Sequence, residues 1–271
     1  MIGAREATAF TLLPLALAGI VFLPGWVFLG MVWVFTLLAG RELLAMMRRL
    51  KHPVPVLATL VVLGAALPAL WWTGVGHSGA ILAAVVLLIP AAYLLGGFPL
   101  QGATAGIASA TFTAAYLFVT GGAMGLLRTA FPGSLGVKVV LLHCLMIWGG
   151  DSGAYYLGTW IGRHRLAPQV SPKKSWEGVA GGTVLTFAMG LACRAVFFTE
   201  LRLPAVLALA ALLSVLAPIG DLVESLFKRD AGVKDSSDVL PGHGGFLDRI
   251  DSLFYAAPFV LAFFLLFGAM S

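Results

Sequence analysis

Charge is scarce in this sequence. Only 11% of its 271 residues are Asp, Glu, Lys or Arg, while 60% are hydrophobic, and the mean hydropathy is +0.98. A soluble domain carries about a quarter charged residues, so an ordinary soluble fold is excluded. Strand-like alternation of apolar and polar residues is also missing from the long apolar runs, which excludes a membrane β-barrel and leaves helices. Cysteine is nearly absent. Cys144 and Cys193 both fall inside apolar segments, so they read as buried thiols, not as a disulfide framework or a zinc site. There is no G-x-x-x-x-G-K-[ST] phosphate loop. The one G-x-G-x-x-G match, Gly74 to Gly79, follows no strand and is a chance match. No repeat of fixed period, low-complexity tract or soluble domain is present.

What remains reads as nine membrane spans, near 8–23, 26–46, 54–72, 79–97, 103–127, 137–157, 178–198, 204–228 and 251–270. The first resembles a signal peptide, but its flank holds only Arg5 and Glu6 and another span follows at once, so it reads as an uncleaved anchor. Basic residues orient the chain. With a cytoplasmic N-terminus, Arg5, the group Arg41, Arg48, Arg49 and Lys51, the group Arg163, Arg165, Lys173 and Lys174, and the group Lys228, Arg229, Lys234 and Arg249 all lie inside. Arg128, Lys138, Arg194 and Arg202 are left at the outer side, and the C-terminus is external. The net charge of +5 is thereby explained by orientation, and no nucleic-acid partner is needed. The expectation is an all-α, polytopic helix bundle forming one membrane domain, 1–271. Residues 1–135 serve as scaffold with possible oligomer contacts. Residues 136–271 form the catalytic part, with cytoplasmic loops 158–177 and 226–250.

Chemistry is expected in the C-terminal half, where nearly all the membrane acids lie. In "WGGDSGAYYLG", 148–158, Asp151 sits at the inner end of a span, where an acid is costly and usually faces a polar cavity. Gly149, Gly150 and Gly153 beside it permit close approach of a helix or a phosphate. In "LAPQVSPKKSWEGVAGG", 166–182, Ser171-Pro172 favours a turn, Lys173 and Lys174 follow, and Trp176 marks the interface. In "IGDLVESLFKR", 219–229, Asp221, Glu224 and Ser225 stand at i, i+3 and i+4 on one helix face, a hard-cation arrangement because Mg²⁺ prefers oxygen ligands.

The stretch from Ser225 to Ser252 then concentrates charge between two apolar segments. It holds Lys228, Arg229, Lys234 and Arg249 as cations able to grip phosphate oxygens. Gly242, Gly244 and Gly245 surround His243, and Asp248 and Asp251 follow at i, i+3. Each piece alone has a bland explanation as wet surface. Together they are the layout of a metal–polyphosphate site between two helix ends.

At these residues the sequence resembles the CDP-diacylglycerol synthases, or phosphatidate cytidylyltransferases. The family signature, S-x-[apolar]-K-R-x4-K-D-x-[small]-x2-[apolar]-[P/G]-x-H-G-G-[apolar]-x-D-R-[apolar]-D, is filled from Ser225 to Asp251 without a departure. "DSGAYYLG" and "SPKKSWEGVAGG" are also similar to the family, so the resemblance covers roughly 145–255. It implies transfer of the cytidylyl group from CTP to phosphatidic acid, giving CDP-diacylglycerol and pyrophosphate in phospholipid biosynthesis, in a prokaryotic inner membrane. It implies Mg²⁺, at two positions, with a monovalent cation as a further occupant, and a homodimer as a candidate assembly.

The site residues it implies are Asp221, Asp248, Lys228, Arg229, Lys234, Asp235, His243 and Arg249 for catalysis. Asp151, Ser171, Lys173, Lys174, Ser225, Gly244 and Gly245 would bind substrate, and Asp221, Asp248, Asp251 and Asp151 would hold metal. A phosphate nucleophile is already anionic at neutral pH, which suits a sequence with no Ser–His–Asp or Cys–His pair beside its acids. The alternatives are a cytidylyltransferase or kinase acting on another membrane lipid, and an ion-coupled transporter. A CDP-alcohol phosphotransferase is disfavoured, because that motif begins Asp-Gly and no Asp-Gly dipeptide occurs.

Overall fold

A computed structural model describes residues 17–239 and 244–267. Among them, eight helices are long and apolar enough to cross a membrane, so the chain is an all-α integral membrane protein. Residues 17–22 are also helical, but the rest of the first expected span lies outside the described residues. The other eight spans appear within a few residues of their expected limits.

The chain divides into two compact units, one of residues up to Ala130 with Phe227–Ile250, the other of Phe131–Leu226 with Asp251 onward. The first contains α1 (Gly25–Arg49), α2 (Val56–Thr73), α3 (Ser78–Leu95) and α4 (Ala103–Thr129). Its core is aliphatic, with Leu43, Leu44, Leu63, Leu67, Leu117 and Leu127 fully buried. Tryptophans tie the helices together by their indole N–H groups, Trp33 donating to Gly64 O at 2.8 Å and Trp71 to Gly122 O at 3.1 Å. Gly74, at φ +77°, ends α2 in a left-handed turn, the function of the glycine in the chance G-x-G-x-x-G match. The charged segment 227–250 groups with these N-terminal helices, and its Phe246 ring lies 5.5 Å from that of Phe35 on α1.

The second unit contains α5 (Leu135–Ile161), β1 (Arg165–Ala167), β2 (Ser171–Ser175) and α6 (Trp176–Val196). It also takes α7 (Leu203–Asp230) as far as Leu226 and α8 (Leu247–Phe267) from Asp251. The glycines flanking Asp151 serve helix packing. A Cβ on Gly153 would strike the Gly181 carbonyl, one on Gly150 would lie 2.5 Å from Thr186 Oγ1, and one on Gly182 would lie 2.9 Å from Gly150 O. Such small-residue contact is how helices associate closely in lipid. Gly153→Ala should therefore lower the thermal midpoint in detergent, an overpacking cost of about 1–3 kcal/mol. Gly30→Ala, where nothing among the described residues lies within 4 Å of the added methyl, should leave it nearly unchanged. Equal midpoints for the two variants would show that the α5–α6 contact yields freely.

The two-stranded antiparallel hairpin was not expected. Its turn is Ala167–Val170, closed by Val170 N–H to Ala167 O at 3.2 Å, with Pro168 where its fixed φ favours a β-turn. Ser171-Pro172, expected to turn, instead opens β2. The residue before a proline is pushed toward extended backbone, and a two-stranded ribbon leaves proline an edge without an N–H requirement.

Candidate functional site

The second unit brings acids together. On α7, Asp221, Glu224 and Ser225 share the face their spacing predicts, and Ser225 Oγ donates to Asp221 Oδ1 at 3.3 Å. Gly220 lets α8 come close, since a Cβ there would lie 2.7 Å from Tyr255 Cβ and 3.1 Å from Ser252 Cα. Ser252 Oγ donates to Ala217 O at 3.1 Å and fixes the register of the two helices. This packing sets Asp251 beside the α7 acids. One carboxylate oxygen from each of Asp221, Glu224 and Asp251 lies within 4.8 Å of the others, and Glu224 is buried.

The hairpin supplies a cation to this group. Side chains alternate along a strand, so Lys173 is exposed while Lys174 turns inward and pairs with Asp221 Oδ2 at 2.6 Å. The hairpin is held at its base. Ser175 caps α6, accepting from Gly178 N–H at 3.1 Å, as an N-cap serine should. Glu177 accepts from the backbone N–H of Arg163 at 3.1 Å and of His164 at 3.2 Å, and pairs with His164 Nδ1 at 2.6 Å. Asp151 feels the charges of both Asp221 and Lys174. It lines a small open groove whose other walls include Thr183, Thr186 and Ser214. Ser171 begins the strand and is half-buried.

The first unit holds a separate cluster. Asp248, in the first turn of α8, pairs with Lys228 Nζ at 2.6 Å and accepts from Ser236 N–H at 2.8 Å, Ser236 Oγ at 2.6 Å and Gly245 N–H at 2.8 Å. Both side chains of the ion pair are largely buried, 10% exposed for Lys228 and 6% for Asp248. The group formed by Asp221, Glu224 and Asp251 belongs to the other unit. Arg229 donates to Val233 O at 2.9 Å. Lys234, Asp235 and Arg249 are exposed. Gly244 adopts φ +74°, with Asp248 Oδ2 2.8 Å from where a Cβ would stand. His243 lies outside the described residues.

One residue of this cluster escaped the sequence reading. Glu42, on α1 and only 6% exposed, accepts from Ser237 Oγ at 2.6 Å, Phe246 N–H at 3.1 Å and Leu247 N–H at 2.8 Å. Its second oxygen also lies 3.0 Å from Ser236 Oγ. The available signal was an acid inside an apolar span, which is seldom placed there without a partner.

The family model for the cytidylyltransferase family matches residues 3–267. The chain belongs to the cytidylyltransferase family. Among curated relatives, a protein named phosphatidate cytidylyltransferase from Pseudomonas aeruginosa is 36% identical over 279 aligned positions, covering 95% of both chains. Proteins of the same name from Haemophilus influenzae and Bacillus subtilis are 44% and 42% identical over 135 residues. Those two matches cover 48% and 49% of this chain and 46% and 49% of the relatives, so the chain spans about half the length of each.

The contrast between the two clusters gives a direct test of Lys174. Lys174→Ala removes the ammonium that faces Asp221, whereas Lys51→Ala removes an exposed charge from the end of α1. In a neutral detergent, where attraction to anionic lipid is gone, Lys174→Ala should reduce turnover strongly and Lys51→Ala should not. Equal, mild losses would mean that the hairpin lysines act only as a membrane-surface anchor.

Proposed function

We propose that this cytidylyltransferase is a Mg²⁺-dependent phosphatidate cytidylyltransferase of a prokaryotic inner membrane, with its site at the cytoplasmic face and its C-terminus outside. A phosphate oxygen of phosphatidic acid attacks the α-phosphorus of CTP. The new P–O bond makes CDP-diacylglycerol as the bond to the leaving pyrophosphate breaks. The observation that carries the reading is the convergence of Asp221, Glu224 and Asp251 beside Lys174 in a membrane-embedded unit. It is supported by likeness to a full-length relative bearing that activity in its name.

The donor set suits a hard divalent cation. Mg²⁺ takes oxygen ligands at about 2.0–2.1 Å and shares its sphere with substrate phosphates, so opposed ligand oxygens stand about 4 Å apart, within reach of three acids already within 4.8 Å of one another. Asp221, Glu224 and Asp251 would hold the ion, which would offset the charge of two phosphate substrates. Lys174 neutralises Asp221 and stands ready to donate to a phosphate oxygen in its place. Asp151 orients Lys174 and lines the groove beside it. Ser171 and Lys173 shape the hairpin's approach, and Ser225 steadies Asp221. Arg229, Lys234 and Arg249 present cations to the triphosphate of CTP, with His243, Asp235, Gly244 and Gly245 belonging to the same loop. Asp248 and Lys228 keep that loop in place. No strong general base is needed, so catalysis consists of positioning and electrostatic stabilisation.

Purified protein incubated with labelled CTP, phosphatidic acid and Mg²⁺ should move label into the lipid extract and release pyrophosphate. Label transferred only when another lipid phosphate or alcohol replaces phosphatidic acid would shift the substrate. Absence of any CTP turnover would overturn the class.

A further inference from the structure

We propose that Glu42 is the positioning residue of the charged loop, an acid from the N-terminal helices that fixes both flanks of the loop serving CTP. The proposal rests on the cytidylyltransferase reading for its kinetic consequence and on geometry alone for the anchoring. Glu42 meets both ends of a stretch that lies far from it in sequence. Its Oε1 accepts from Ser237 Oγ and Phe246 N–H, and its Oε2 lies against Ser236 Oγ and accepts from Leu247 N–H. Leu247 is the first residue of α8, and the leading N–H groups of a helix have no partner within it. Glu42 is therefore a cap delivered from another helix, placing a carboxylate where the positive end of the helix favours one.

A second observation points the same way. Gly245 has no room for a side chain because the Glu42 carboxylate is there. A Cβ would stand 2.5 Å from Glu42 Oε2 and 2.6 Å from Oε1, and it would also strike Ser236 Oγ. The second glycine of the H-G-G tripeptide is thus shaped by an acid some two hundred residues earlier. Ser236 Oγ, 3.0 Å from Glu42 and 2.6 Å from Asp248, has one proton for two carboxylates and links the two anchors.

The consequence is a specific kinetic signature. Among the described residues the groups bonded to Glu42 are all donors, so glutamine, similar in shape, turns an NH₂ toward at least two of them. The loop then samples more arrangements, and the binding-competent fraction falls. Apparent affinity falls in proportion to that fraction, so Glu42→Gln should raise KM for CTP, by about tenfold if one molecule in ten remains competent. The rate at saturating CTP should be largely retained. A residue that only supported folding would lower kcat through loss of active molecules and leave KM unchanged.

The experiment has two arms on full-length protein in neutral detergent. Hydrogen exchange should speed up at the amides of Phe246 and Leu247 in Glu42→Gln, with the thermal midpoint little changed. Steady-state kinetics should show the KM rise. Gly245→Ala, which displaces the Glu42 carboxylate, should raise KM for CTP as well, and the double variant should be no worse than the poorer single one. Unchanged exchange at those two amides overturns the anchor. An unchanged KM with a reduced kcat overturns the positioning role, as does strict multiplication of the two single effects. If the wild-type protein turned over no CTP with phosphatidic acid, the functional reading would fail while the exchange arm still decided the anchor.

Discussion

Asp221→Asn should reduce cytidylyl transfer by roughly 10²-fold or more, the scale of one lost electrostatic contact to a developing charge, and should raise the Mg²⁺ concentration needed for half-maximal rate. Asp221 is central to the acidic group. It shares the 4.8 Å cluster with Glu224 and Asp251, accepts from Ser225 Oγ and pairs with Lys174. Only stabilisation that grows in the transition state raises the rate of the chemical step, and a cation held by these acids would offset charge that develops on the phosphates. Asparagine keeps the shape and one carbonyl oxygen but loses the charge. The Asp221 side chain is 39% exposed, so folding should tolerate the change and the thermal midpoint should move little. Asp251→Asn should act in the same direction. Near-normal rates for both variants at saturating Mg²⁺ would remove the metal assignment.

The membrane class and helix positions were legible because apolar length alone dictates them. A span of about 20 apolar residues has few other uses, and eight such helices stand where hydropathy put them. The face shared by Asp221, Glu224 and Ser225 was legible too, since helical spacing is a local property. What escaped were relations between distant segments. The hairpin 165–175 was hidden because a three-residue strand and a five-residue one rich in Ser, Pro and Lys carry no alternating apolar signal. Glu42 was hidden for a different reason. It sits next to Arg41, in a region used only for its basic residues, and no role was assigned to it. Its partners, Ser236, Ser237, Phe246 and Leu247, lie some two hundred residues away.

Asp248 carries two readings, metal ligand and anchor, that spacing alone cannot separate. It lies one turn before Asp251, which made the two look equivalent. The structure gives it three donors from residues 236 and 245 and a largely buried ion pair with Lys228. Removing one partner of a buried pair costs about 3–5 kcal/mol, because the other charge is left uncompensated. Asp248→Ala should therefore lower the thermal midpoint more than any other substitution named here, since it also strips an acceptor from the Ser236 and Gly245 amides. Lys228→Met should lower it less, because Asp248 keeps its other donors.

The decisive comparison is Asp248→Asn against Asp221→Asn. If Asp248 anchors the loop, Asp248→Asn lowers the midpoint while the folded fraction keeps the wild-type Mg²⁺ half-saturation. Asp221→Asn does the reverse. Measuring both quantities on both variants separates a carboxylate that holds the chain from one that holds the cation. A raised Mg²⁺ requirement with an unchanged midpoint in Asp248→Asn would instead assign Asp248 to the metal site.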